Sequence, residues 1–143
     1  MSASSSGVCK IWDAKTGKAS TKLSAHKGGA FWATYNEAGD YMATAGTDKI
    51  VYVWSRKKAS KPLLKLVGNK AKVRSVCFFN KDRNIISTSL GGDITIYDAK
   101  TGDILCQQQC LGEMDEFLGN IAYSVKALKK TGGGLQFFTT HQD

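Results

Sequence analysis

The chain has 143 residues, 42% apolar and 22% charged, with a formal net charge of +8. That is the length of one ordinary domain, with enough apolar content for a core. No apolar run approaches the roughly 18 residues of a membrane span, and the polar opening Met1-Ser2-Ala3-Ser4-Ser5-Ser6-Gly7 lacks the apolar stretch of a secretory signal, so an intracellular protein, cytoplasmic or nuclear, is expected.

In chain order, period-2 alternation and β-branched enrichment dominate, with turn signals every 8–12 residues or so. Residues 8–12, Val-Cys-Lys-Ile-Trp, open with a strand. Strands follow at 30–35 and 41–45, joined by the turn Asn36-Glu37-Ala38-Gly39-Asp40. Gly46-Thr47-Asp48-Lys49 is a tight turn into a third strand at 50–54. A fourth is expected at 62–67, where the leading Pro62 suits an outer edge that can forgo one ladder donor. The same order returns at 73–78, 85–89, 94–97 and 103–109. A longer polar connection, 111–120, leads to two further strands at 121–128 and 135–140. Only Met114 to Leu118 could form a helical turn. The chain reads as all-β.

The strand-end aromatics Trp12, Trp54 and Tyr97 lie 42 and 43 positions apart. The pentapeptide Asp13-Ala14-Lys15-Thr16-Gly17 recurs as Asp98-Ala99-Lys100-Thr101-Gly102. A period near 40 ending in an aromatic–acid pair is the signature of a β-propeller blade.

On these residues the chain resembles the WD-repeat β-propeller family over essentially its whole length. In that family a His before the first strand, a Ser or Thr on the second, a turn Asp and a Trp form a hydrogen-bonded tetrad. A buried indole N–H needs an acceptor, the hydroxyl supplies one, and the His and carboxylate end the chain. The resemblance implies this tetrad at His26, Thr44, Asp48 and Trp54, with a blade-stabilising role. Trp12, Asp13, Tyr97 and Asp98 mark the other repeat ends. The second unit departs from the pattern: Gly68-Asn69 stands in place of Gly-His, Gly91 in place of the turn Asp and Tyr97 in place of Trp. Ser87 alone remains, so no tetrad is expected there and packing of Val73, Val76, Phe78, Ile85, Ile94, Ile96 and Tyr97 should hold the blade. In the third unit Thr139 or Thr140 and Asp143 approximate the pattern.

The resulting organisation is a partial β-propeller of four-stranded antiparallel blades. Residues 1–24 form the C-terminal half of a blade, strands three and four. Residues 25–67 form a complete blade and 68–110 a complete degenerate one. Residues 111–143 hold an inter-blade connection and the first two strands of another. Three blades' worth of strands falls short of the four to eight that close a ring. Either the chain is a fragment of a larger propeller, or two copies assemble, each half-blade completing the other's.

Propeller topology puts turns one–two and three–four on one face. That face collects Lys15, Lys18, Arg56, Lys57, Lys58, Lys61, Lys81, Arg83, Lys129 and Lys130, against Glu37, Asp40, Asp82 and Asp103. The other holds Lys27, Lys49, Lys70 and Lys72, against Asp93, Glu113, Asp115 and Glu116. A basic rim at Arg56, Lys57, Lys58, Lys61, Lys81, Arg83, Lys129 and Lys130 is a candidate docking site for RNA phosphate or an acidic protein surface. Aromatics do not interleave with these lysines, so base stacking has no visible platform.

Catalytic patterns are absent: there is no Gly-x-Ser-x-Gly, phosphate loop, His-Glu-x-x-His or paired catalytic carboxylates. Gly132-Gly133-Gly134 reads as a turn. Cys9, Cys77 and Cys106 sit in strand-like runs and are expected as buried, reduced thiols. Cys106-x3-Cys110 lacks zinc-ligand spacing, and the only His residues are His26 and His141. The expectation is a non-catalytic scaffold without cofactor or metal that binds other proteins, with a basic RNA- or ribosome-associated propeller as the alternative.

Overall fold

The computed structural model of the chain describes residues 1–109 and, by backbone alone, the strands at 122–128 and 136–141. All regular structure among the described residues is strand, and none of it is a helix long and apolar enough to cross a membrane. The helical turn considered at Met114 to Leu118 lies outside the described residues.

The strands form consecutive antiparallel sheets, the blades of a β-propeller. The first sheet is β1 (Ser2–Ala3), β2 (Val8–Trp12) and β3 (Ala19–Ser24), in that order. The second is β4 (Ala30–Tyr35), β5 (Tyr41–Gly46), β6 (Val51–Ser55) and β7 (Leu64–Leu66). The third is β8 (Val73–Phe79), β9 (Asn84–Ser89), β10 (Asp93–Asp98) and β11 (Ile104–Gln109). A pair, β12 (Ala122–Leu128) and β13 (Gln136–His141), follows. The leading strands lie together, β4 against β8 and β8 against β12, as inner strands of successive blades do. Each leading strand also carries a register shift near its start, at Ala30/Trp32, Val73/Ser75 and Ala122/Ser124. The backbone thus repeats even where the side-chain motif fades.

Two elements differ from the sequence expectation. Strand β1 pairs Ser2 with Lys10 and Ala3 with Cys9, so the first sheet holds more than strands three and four. Two residues are too short a run to give a period-2 signal. The fourth strand of the second sheet is only Leu64–Leu66, because Pro62 has no N–H to pair and Gly68, at a φ of 140°, turns the chain away.

The core lies between sheets. Alternate residues of β6 point opposite ways. Val51 and Val53 join Ala43, Ala45 and Leu66 against Val73, Val76, Ile85 and Tyr97 of the third sheet. Tyr52 and Trp54 join Met42 and Ala30 against Cys9, Ile11 and Leu23 of the first. Covered on both faces, β5 and β6 lose the alternation of a half-exposed strand. Each fully buried Val, Leu or Ile contributes about 1.5–3 kcal/mol. The outermost strand β11 has neither face covered and is exposed throughout. Cys106, on β11, is therefore exposed; Cys77, on β8, is half-buried, and of these three expected buried thiols only Cys9 is buried.

Candidate functional site

The structure brings His26, Thr44, Asp48 and Trp54 together. Thr44 and Trp54 lie on one face of adjacent strands, one diagonal step apart in register. The Trp54 indole N–H donates to Thr44 Oγ1 at 3.0 Å. Thr44 Oγ1 lies 3.0 Å from His26 Nε2, and His26 Nδ1 lies 2.9 Å from Asp48 Oδ1. With a neutral ring, this arrangement puts the proton on Nδ1, donated to Asp48, and has Nε2 accept from the Thr44 hydroxyl. The other Asp48 oxygen accepts the Lys27 backbone N–H at 3.1 Å. The polar side-chain atoms of all four residues are engaged inside the blade. The Tyr52 and His26 rings pack edge to face, with centroids 4.9 Å apart. Gly46 is needed beside it, since a Cβ there would fall 2.7 Å from His26 Nδ1 and 2.6 Å from the Gly29 carbonyl.

The third sheet holds a network that the sequence reading did not expect. Asn69 Nδ2 donates to the Tyr97 hydroxyl and the Ser87 hydroxyl donates to Asn69 Oδ1, each at 2.9 Å. Asn69 thus does the bridging of the imidazole with a donor and an acceptor of its own. Asp93, two positions beyond Gly91, supplies the carboxylate: it accepts the Ser89 hydroxyl and, at 3.4 Å, the Lys70 N–H. The signal was available, since amide, hydroxyl and phenol stand at the places of His, Thr and Trp. Tyr97 is fully buried, and burial raises its phenol pKa while the hydrogen bonds oppose that shift. Among the described residues no buried side-chain N or O lacks a partner.

A family model described as "WD domain, G-beta repeat" matches residues 17–55 and 60–98, more than half of the chain. The chain belongs to the WD-repeat family. The matched segments run from the end of one sheet to the third strand of the next, as WD repeats do. The chain is also similar to "Ribosome assembly protein 4" of Saccharomyces cerevisiae, 29% identical over 46% of this chain and 13% of that protein. It is 34% identical to "Probable coatomer subunit beta'" of Schizosaccharomyces pombe, over 64% of this chain and 12% of that protein. The chain thus spans a small part of the length of either relative.

The acids of the WD-type endings act in turns, not in the buried networks. Asp13 Oδ1 accepts the N–H groups of Lys15 and Thr16, each at 2.8 Å. Asp98 Oδ1 does the same for Lys100 and Thr101 at 2.8 and 2.9 Å. These backbone donors hold both carboxyls below their usual pKa. The turn explains why the pentapeptide recurs. Trp12 is 45% exposed, and its indole N–H donates to Ser2 Oγ at 2.8 Å.

The basic rim residues Arg56, Lys57, Lys58, Lys61, Lys81 and Arg83 are all exposed, and Lys129, Lys130 and Asp143 lie outside the described residues. Their turns meet on one face. Arg56 N donates to the Asp40 carbonyl, and Ala99 N to the Arg83 carbonyl, each at 2.9 Å. Asp82 ties this face across two WD blades. Its carboxylate accepts Asn36 Nδ2 at 3.0 Å and the N–H groups of Glu37 and Ala38 at 3.0 and 3.2 Å. To reach them, Asn80, Lys81 and Asp82 all take positive φ, 54°, 55° and 63°, a costly run for residues other than glycine. Sequence reasoning counted Asp82 only as an acidic neighbour of the rim. Among the described residues no His, Cys, Asp and Glu cluster could hold a metal ion.

Proposed function

We propose that this chain is a non-catalytic protein-interaction scaffold that acts inside cells, in the cytoplasm or nucleus, and engages partners through the basic turn face. The observation that carries this reading is a division of labour. The chemically versatile side chains, His26, Asp48 and Asp93, are engaged by hydrogen bonds within blades, while the cations Arg56, Lys57, Lys58, Lys61, Lys81 and Arg83 are exposed in or beside turns that Arg56 N, Ala99 N and Asp82 hold in place. Such a face suits association steered by charge. Ring closure from two copies faces an obstacle: a partner's strand would have to join the edge of β2 where β1 already pairs with Cys9 and Lys10.

The second reading is a basic RNA- or ribosome-associated propeller. The net charge of +8 and the likeness to a protein named for ribosome assembly favour it. Isolation of the tagged full chain at graded salt, with and without ribonuclease, separates the two. The scaffold reading expects protein partners retained after ribonuclease. Loss of all partners with ribonuclease, together with steep salt dependence of RNA retention, would replace it by the RNA reading.

A further inference from the structure

An open groove of about 660 Å³ runs between the second and third sheets on the basic face, within the range of about 300–1,000 Å³ usual for ligand sites. Its floor is Tyr41, Val53, Leu63, Leu64, Phe78 and Ala99. Leu64, Phe78 and Ala99 are half-buried and packed on the core, so the floor is anchored. Tyr41 and Leu63 are 42% and 52% exposed, an apolar lip left uncovered by the fold.

The charged lining is unequal in its freedom. Asp82 spends its oxygens on the turn of the neighbouring blade, and Asp98 one of its own on two backbone N–H groups. Arg83 and Lys100 also line the groove and are exposed. Among the described residues neither Arg83 nor Lys100 is ion-paired. Lys100 acts on Asp98 only through a minor Coulombic effect. Arg56, Lys57 and Lys58 stand in the turn that precedes the Leu63 lip.

We propose that this groove receives an extended segment of a partner protein in which leucine-like side chains alternate with acidic ones. The apolar side chains would sit on Leu63, Tyr41 and Phe78, and the carboxylates would pair with Arg83 and Lys100. An acidic–apolar peptide satisfies both parts of the groove at once. A basic peptide would meet like charge, and a nucleic acid would leave the apolar floor unfilled. The proposal rests on the scaffold reading and narrows it to one site and one ligand chemistry.

The test is fluorescence anisotropy of the full chain with a labelled seven-residue peptide alternating leucine with aspartate or glutamate. A lysine-for-acid version and oligouridylate of similar length serve as comparisons. The acidic peptide should bind, the lysine peptide should not, and raising salt should weaken binding. Arg83→Ala with Lys100→Ala should weaken binding at least about tenfold, and Leu63→Ser by a similar factor. All three residues are exposed, so these variants are expected to fold, which circular dichroism checks. Lys70→Ala with Lys72→Ala, exposed and outside the groove lining, should change affinity less than about threefold. No binding of the acidic peptide, equal binding of the lysine peptide, or unchanged affinity in the Arg83/Lys100 variant overturns the proposal. Oligouridylate binding that falls in that variant while the acidic peptide fails to bind would assign the cations to phosphate instead. Ribonuclease-resistant partners that persist in the Arg83/Lys100 and Leu63 variants would sink the groove and leave the scaffold reading standing.

Discussion

Thr44→Val isolates the buried network from the packing around it. Valine matches threonine in shape, so the change removes one hydroxyl and opens no cavity. Thr44 is fully buried, accepts from Trp54 Nε1 and faces His26 Nε2. Without the hydroxyl, the indole N–H and the imidazole acceptor both lose their partner where water does not reach. Each unsatisfied buried group costs about 1–3 kcal/mol. Partial relaxation of the ring gives an expected loss of about 2–4 kcal/mol, a large fraction of the roughly 5–15 kcal/mol typical of a domain. Urea unfolding followed by tryptophan fluorescence reads it, because Trp54 is the buried indole while Trp12 and Trp32 are exposed. A loss below about 0.5 kcal/mol would show that the tetrad geometry is incidental and that packing alone holds the blade.

Tyr97→Phe in the third sheet should cost about 1–2 kcal/mol, through the orphaned Asn69 amide, and unchanged unfolding would deny that network a role. Asp82→Ala should leave the sheets intact and speed hydrogen exchange at the Glu37 and Ala38 amides by about tenfold or more; protection equal to the parent chain would refute the inter-blade tie. The Cys9 thiol, pushed up to about 11 by burial, should react with a thiol reagent at neutral pH far more slowly than exposed Cys106, and modification of Cys9 first would contradict its placement. Asp13 and Asp98 have folded pKa values below the ordinary 3.8. Their contribution is therefore complete above that value and is lost as pH falls through the folded pKa. An Asp13→Asn, Asp98→Asn double variant should lose part of the acid limb of the stability–pH curve; an identical limb would show the two turns to be neutral.

The sequence carried the strand order and the tetrad positions because both rest on local chemistry. Gly-Thr-Asp-Lys can turn, Val-Tyr-Val-Trp can be a strand, and a buried indole needs an acceptor. It hid what depends on the neighbouring sheet. Asp82 became a tie only because the turn at 36–40 of the preceding blade lies against it. Asn69 does not stand out in the sequence because it is no imidazole, yet an amide bridges a phenol and a serine equally well. Cys106 was misplaced for a related reason. An apolar run such as Ile-Leu-Cys reads as core in any strand, and only the sheet order shows that β11 is outermost.

The most direct measurement of the central claim, that this WD-repeat chain binds protein through its basic turn face, is cross-linking of the full chain to its ribonuclease-resistant partners with an amine-reactive reagent. The account predicts inter-protein links concentrated at Lys57, Lys58, Lys61, Lys81 and Lys100. Links confined to Lys27, Lys49, Lys70 and Lys72, or no ribonuclease-resistant partner at all, would contradict it.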